Sequence, residues 1–340
     1  MNPFQRRPLG RTSLSLSALG FGGSSLGNLY RPVAEEEASA AIDAAFAAGI
    51  RYFDVAPLYG NGLGEHRMGR DLRRYPRDDY VLSTKVGRLL EPLDPKSAAL
   101  EPDPSGLPFR VVHDYGYDGV MRSMEDSLQR LGMNRVDIAL IHDIDAHNHG
   151  EAAQKRYFRE AMNGAYPALK RMRDEGTVRA IGVGVNDWRV CQACLEAGEF
   201  DCFLLAGRYT LLDQGALATF LPACLERGVG VIIGAPFNSG ILAPGAADGA
   251  TYDDAKPSPA ILEKARRVNQ ICAGHGVSRA AAALRFPLGH GAVAAVLTGV
   301  RSAAQAEENI RLFDEAIPDD LWRELKDEKL IDGAAPIPEP

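Results

Sequence analysis

Eight short runs rich in β-branched, aromatic and other apolar residues follow one another along the chain, each trailed by at least one stretch of helical periodicity. The runs are LSALGFGG (16–23), IRYFDVA (50–56), YVLSTK (80–85), VDIALIH (136–142), VRAIGVG (178–184), DCFLLAG (201–207), VGVIIGA (229–235) and AVAAVLTG (292–299). Helices are predicted near 33–48, 64–74, 118–131, 160–175, 188–197, 214–227, 259–275 and 278–286, with 302–312 and 319–330 finishing the chain. Several are delimited by their ends: Glu35, Glu36 and Glu37 favour the first turn of one, and Gly49, Gly132, Gly176 and Gly228 follow others. The first helix presents Ala38, Ala41, Ile42, Ala45 and Phe46 on one face. Such a succession predicts an α/β fold, a (β/α)8 TIM barrel.

A doubly wound sheet would usually open with a G-x-G-x-x-G turn into a helix. Here the opening strand runs G-F-G-G-S-S-L-G and its glycines lead into a loop, which disfavours that fold. PLGRTSL, within residues 4–18, reads as the turn of an N-terminal β-hairpin. No linker-like shift in composition divides the 340 residues, so one domain over 1–340 is expected. Three connections, 86–117, 143–159 and 236–258, are too long for simple turns. All follow strands, which puts them on the C-terminal face where barrel active sites lie.

Bulk properties exclude several kinds of partner. A net charge of −7 and a pI near 5.6 argue against nucleic acid or an anionic membrane. No apolar run approaches the ~18 residues of a membrane span. The N-terminal MNPFQRRPLG lacks the apolar core and cleavage pattern of a secretory signal. Five cysteines, an odd number, suit a reducing cytosol, so a cytoplasmic protein is expected. Cys191 and Cys194 form a C-x-x-C inside a helical stretch and read as buried structural thiols.

Asp54, Tyr59, Lys85 and His142 each fall at or just beyond a predicted strand end. Alone, such an Asp is usually a cap, such a Tyr a packing residue and such a Lys or His solvated. Together, on neighbouring parallel strands, they would meet on one rim. A free phenol titrates near pH ~10, and a cationic lysine beside it favours the phenolate. Lys85 is placed to do this for Tyr59, with Asp54 holding the lysine and His142 fixing a substrate oxygen.

The same residues bear a family resemblance. FDVAPLYGNGLGE resembles the aldo-keto reductase signature, and the likeness continues through PLGRTSL…LGFGG, STK, LIHD, IGVGVN and GVRSAAQAEENI, over about 6–315. It implies an enzyme with Tyr59 as general acid/base, Lys85 and Asp54 as its activating pair and His142 as the substrate-orienting residue. It implies a nicotinamide cofactor, with Asn186 at the carboxamide and APFNSGIL (235–242) around the pyrophosphate. The implied cofactor set is Gly23, Asn186, Ala235, Pro236, Asn238, Gly240, Leu242, Gly299, Arg301, Gln305 and Asn309. Three positions depart from the pattern: Val185 replaces a serine, Ala206-Gly207 a strand-six glutamine, and Gly234 a stacking aromatic, for which Tyr209 or Phe237 would substitute. With Arg301 the only strong cation of the clamp, NAD is expected to serve at least as well as NADP.

Within the family, GSSLGNLYRPV…FDVAPLYGNGLGEHRMGRDLR most resembles bacterial dehydrogenases of L-fucose and other D-threo-aldoses, with a pyridoxal 4-dehydrogenase type in the same branch. The expected substrate is a small sugar or aldehyde, aldose oxidation at C1 to the lactone being the main reading. Pyridoxal 4-dehydrogenation, or general aldehyde and ketone reduction, is the alternative. Tyr30 and Arg110, with His113 and Asp114, are candidates for substrate contact. Two other classes fit parts of the sequence. One is a nicotinamide-binding subunit of low turnover, against which the intact four-residue set argues. The other is a metal-dependent hydrolase, suggested by HDIDAHNHG (142–150). That cluster follows the fourth strand, where such hydrolases would carry an H-x-H at the first, so no metal site is expected and His147 and His149 read as solvent-facing loop residues.

Overall fold

A computed structural model describes residues 1–29, 31–94, 106–245 and 250–338. The chain opens with an antiparallel hairpin, β1 (Arg6–Pro8) and β2 (Ser15–Ser17), in which Arg7 pairs with Leu16. The barrel strands are β3 (Leu19–Gly22), β4 (Tyr52–Asp54), β5 (Val81–Val86), β8 (Ile138–His142), β9 (Ala180–Val185), β10 (Cys202–Ala206), β11 (Gly230–Gly234) and β12 (Val293–Gly299). They pair in parallel in chain order and close through β12 and β3, where Leu297 lies opposite Gly20. The (β/α)8 barrel is thus the fold. The predicted first strand is split at Ala18, whose N–H bonds the Gln5 carbonyl and turns the chain from hairpin into barrel.

Period-two alternation decides what faces the barrel axis. Tyr52, Leu140, Cys202, Leu204, Ile232 and Leu297 fill the interior, and Leu9, Leu14 and Leu16 of the hairpin join the same cluster at the N-terminal end. Residues of opposite phase, such as Phe53, Leu82, Ile141, Val183, Phe203 and Ile233, pack outward beneath the helices. Asp54 stands two residues after Tyr52, Lys85 two after Ser83 and His142 two after Leu140, so all three face inward at the C-terminal mouth.

The helices around the barrel include α1 (Glu35–Ala48), α2 (Leu63–Leu72) and α3 (Tyr117–Leu131). The expected apolar face of α1 is the buried one, Ala38, Ala41, Ile42, Ala45 and Phe46. Two predicted loops are ordered elements instead. Within 86–117, β6 (Arg88–Pro92) and β7 (Phe109–His113) form an antiparallel hairpin outside the barrel. Within 143–159, Ala146–Glu160 is helical, broken at Gly150 where φ is +74°, and capped by Asp145, which accepts from the Asn148 amide. This helix fully buries no residue, so it has no strong apolar stripe by which to announce itself. The helix expected over 214–227 is split into a 3-10 turn, Gly215–Leu217, and an α-helix, Phe220–Arg227, in whose first turn Pro222 has no N–H to donate to the residue four before it. Among the described residues no helix is long and apolar enough to cross a membrane.

The loop carrying Tyr59 is fixed by backbone contact. A Cβ on Gly27 would lie 2.2 Å from the Tyr59 carbonyl carbon and 2.5 Å from the Gly60 nitrogen. Only a glycine lets the two segments touch. Gly27→Ala should therefore destabilise the protein by at least ~2 kcal/mol in denaturant titration, and an unchanged midpoint would refute the contact.

Candidate active site

The mouth of the barrel is organised around one buried ammonium. Lys85 is 2 % exposed, and its Nζ donates to Asp54 Oδ2 at 2.7 Å, the Val55 carbonyl at 3.1 Å and Tyr59 Oη at 3.1 Å. All three of its protons are thus directed. Asp54 is held in turn by Ser83, whose hydroxyl donates to Oδ1 at 2.6 Å, and Ser83 meets the Tyr52 hydroxyl at 3.0 Å. Gly184 on β9 lies two strands from Lys85 and borders its stem, where a Cβ would meet Lys85 Cε at an ordinary 3.4 Å. Tyr59 reaches the mouth on a turn whose amide bonds Ala56 O and whose carbonyl accepts from Gly64 at the start of α2.

The electrostatics correct one expectation. Burial pushes the Tyr59 phenol above its ordinary value; Lys85 pulls it down as anticipated, but Asp54 adds to the rise, and the balance is upward. Burial disfavours the Lys85 charge, yet Asp54 and Tyr59 outweigh it and its pKa stands above the usual lysine value. In this state the pair is therefore phenol and ammonium. A phenol is the proton-donating form; the proton-accepting form is reached at alkaline pH.

His142 stands beside them, its ring edge-on to Tyr59 with centroids 6.2 Å apart. Burial, then Arg88 and Lys85, hold its pKa well below the ordinary histidine value, so the ring is neutral. Its Nε2 lies 3.3 Å from Asp143 Oδ2, and the same Oδ2 accepts from the Arg88 guanidinium at 2.5 Å. Burial raises the Asp143 carboxyl to about 6, with Arg88 opposing. Behind this pair the Tyr115 hydroxyl donates to the carbonyls of His142 and Asp143 at 2.7 and 3.0 Å. Sequence reasoning passed over Ser83, Arg88 and Asp143. The first is legible as the residue two before Lys85 on the same strand face; the other two meet only because β6 folds back.

A cleft of about 480 Å3 opens from Tyr59 and Asp54 across the mouth. Gly23, Asn186, Ala235, Pro236, Asn238, Gly240, Gly299, Arg301, Gln305 and Asn309 all line it. Asn186 is fixed by its backbone: its N–H donates to buried Asp145 at 2.7 Å and its carbonyl accepts from Arg208 at 2.8 Å. Four expectations are corrected or unplaced. Leu242 is buried in the outer core and does not line the cleft. Tyr209 is buried against Phe286 and His290, and of the two residues expected to substitute for the stacking aromatic only Phe237 lines the cleft. Arg110 pairs with Glu91 across the outer hairpin and is also absent from the lining. Tyr30 lies outside the described residues.

The histidine-rich segment and the cysteines have structural employment. Asp143 pairs with Arg88, Asp145 caps a helix, and His149, half-buried on that helix and not in a solvent-facing loop, contacts the Asp143 carbonyl at 2.6 Å. His147 is exposed at the cleft edge. His113 is half-buried with its pKa lowered to about 4 by burial, and Asp114 accepts from the Gly116 amide. Cys191 and Cys194 are buried free thiols, and burial pushes Cys194 up to about 12.

Comparison with known proteins gives the same direction. The model of the Aldo/keto reductase family matches residues 18–329. A pyridoxal 4-dehydrogenase of Microbacterium luteolum is 43% identical over 96% of this chain and 98% of its own. A D-threo-aldose 1-dehydrogenase of Pseudomonas sp is 38% identical over 94% and 95%. Among solved structures, an aldo-keto reductase from Bacillus halodurans in its holo form superposes with a TM-score of 0.73 at 23% identity, covering 98% of each chain.

Burial raises the Asp143 carboxyl to about 6, so the negative charge 3.3 Å from His142 Nε2 is lost in acid. The kcat/KM of the wild-type protein should fall below pH 6, and Asp143→Asn should be ~10-fold less active at pH 8 with that acid limb gone, a change of about 1.4 kcal/mol. An acid limb unchanged in the variant would show that Asp143 does not act through His142.

Proposed function

The chain belongs to the aldo/keto reductase family, and on that premise we propose that it is an NAD-linked dehydrogenase oxidising an aldose of the L-fucose or D-threo type at C1 to the lactone. The observation that carries the reading is the line Asp54–Lys85–Tyr59, which ends in a phenol at the floor of the cleft with neutral His142 beside it. In its cyclic form an aldose carries a hydroxyl and a hydrogen on C1. Tyr59 as phenolate takes the hydroxyl proton, the O–H pair of electrons becomes the new C=O bond, and the C1–H bond leaves as hydride. A nicotinamide held in the cleft would supply the acceptor for that hydride. His142 orients the oxygen, and Lys85 stabilises the phenolate that oxidation requires.

The residues of the cleft fit such a cofactor. Gly23, Gly240 and Gly299 bring bare backbone to its wall, as close approach to phosphates needs. Glu308 lines the same cleft as Arg301 and adds a carboxylate that would repel a 2′-phosphate, which supports NAD over NADP. The 38% identity to an aldose 1-dehydrogenase supports the substrate class. The 43% identity to a pyridoxal 4-dehydrogenase favours a second reading with the same bond changes. An aromatic aldehyde beside a hydroxymethyl group closes to a cyclic hemiacetal, and its dehydrogenation also gives a lactone. The proposed setting is the cytoplasm, where five free cysteines remain reduced.

The test is NADH formation from L-fucose, D-arabinose, L-galactose and pyridoxal, each with NAD and with NADP. A sugar is expected to give the highest kcat/KM, with NAD at least equal to NADP. Pyridoxal alone reacting would select the second reading, and a preference for NADP above about tenfold, some 1.4 kcal/mol, would overturn the cofactor assignment. Tyr59→Phe should lose at least ~10²-fold in kcat while NAD affinity stays within a fewfold; full activity in that variant would remove Tyr59 from its role.

A further inference from the structure

Asn238, at the wall of the cleft, carries a buried side-chain carbonyl with no hydrogen-bond partner among the described residues. Its side chain is 2 % exposed, its backbone is left-handed at φ +46°, and Nδ2 donates to the Gly207 carbonyl at 3.0 Å. A carbonyl can only accept, so that bond fixes the amide: nitrogen toward Gly207, oxygen away from it. Oδ1 then has no hydrogen-bond partner among the described residues, although Asn238 lines the cleft. A buried acceptor left unpaired is costly, and a ligand bringing an N–H or O–H donor recovers that cost.

The surroundings say where along the cleft this acceptor lies. Gly207 directly follows β10 and its amide bonds the Gly234 carbonyl at the end of β11. The next residue, Arg208, holds the Asn186 carbonyl. Asn186 and Asn238 are therefore tied to adjacent residues of one rim segment, and both line the cleft. Nothing larger than a methyl competes at the intervening strand ends, Ala206 and Gly234, and a Cβ on Gly207 would stand 3.4 Å from Asn238 Nδ2. The amide of Asn238 thus occupies the space beside the end of β10 that a longer side chain there would fill.

We propose that Asn238 replaces the amide side chain that the sixth barrel strand lacks, its Oδ1 accepting an N–H of the cofactor's primary carboxamide while Asn186 binds the same group. This rests on the nicotinamide reading of the cleft. The carboxamide is the only substituent of a nicotinamide ring that carries hydrogen-bond donors, which is the chemistry the orphaned oxygen selects.

The test compares equilibrium binding, by quenching of protein fluorescence, of NAD and of 3-acetylpyridine adenine dinucleotide, which keeps the ring carbonyl but has a methyl in place of the amide nitrogen. The wild-type protein should bind NAD about 10-fold more tightly, equivalent to about 1.4 kcal/mol. Asn238→Ala should lose that preference by weakening NAD and leaving the acetyl analogue within twofold, which a general loosening of the loop would not do. Asn238→Ser, whose hydroxyl can still bond Gly207 but has no carbonyl to offer, should give the same loss and serves if the alanine variant does not fold. A wild-type protein without the preference, or variants that retain it, would overturn the assignment. A wild-type protein that binds neither dinucleotide would instead refute the nicotinamide reading.

Discussion

A lysine ammonium almost sealed from water is the constraint on which the site depends. Moving such a charge out of water costs several kcal/mol unless its partners are close and well aligned. Here the Asp54 carboxylate, the Val55 carbonyl and the Tyr59 hydroxyl use its three protons, and Ser83 and Tyr52 hold the carboxylate in place. Strand parity places the carboxylate and its supports: Tyr52 and Asp54 on one strand, Ser83 and Lys85 on the next, all facing inward. Val55 and Tyr59 follow on the turn after the first of these strands. Removing any one would leave a buried charge or carbonyl unpaired. The stability of the barrel mouth and the geometry of the proton donor are therefore a single problem with a single solution.

Around that floor the rim loops are joined by polar contacts. Asp145 caps a helix after β8 and also holds the Asn186 amide after β9. Arg208 after β10 holds the Asn186 carbonyl and pairs with Asp253 in the loop after β11. Asn238 from that loop reaches back to Gly207. Four successive strand ends are thus linked through backbone atoms of the cleft wall, which places its side chains without relying on loop rigidity alone.

What was legible in the sequence was what period and strand ends encode. The inward parity of Asp54, Lys85 and His142 follows from counting along each strand, and the family motifs carried ten of the cleft-lining residues, Asn186 among them. What was not legible depends on contacts distant in sequence or on the absence of a pattern. Arg88 finds Asp143 only because β6 and β7 fold as an outer hairpin, and those strands alternate too weakly to stand out in a Pro- and Gly-rich stretch. The helix Ala146–Glu160 fully buries no residue and meets the core only through partly buried side chains such as Tyr157 and Phe158, so its sequence carries no strong apolar stripe. The upward balance on Tyr59 was missed because the lysine is visible in sequence while the depth of burial that opposes it is not.

The central claim is that Lys85 controls the proton affinity of Tyr59. The direct measurement is the pH dependence of kcat/KM for sugar oxidation in the wild-type protein and in Lys85→Met, both verified as folded. The account predicts activity that climbs with pH on the alkaline side, where the phenolate forms, and a limb displaced to still higher pH in the variant, since a cation that favours the phenolate has been removed. A limb at the same pH in both proteins would contradict it.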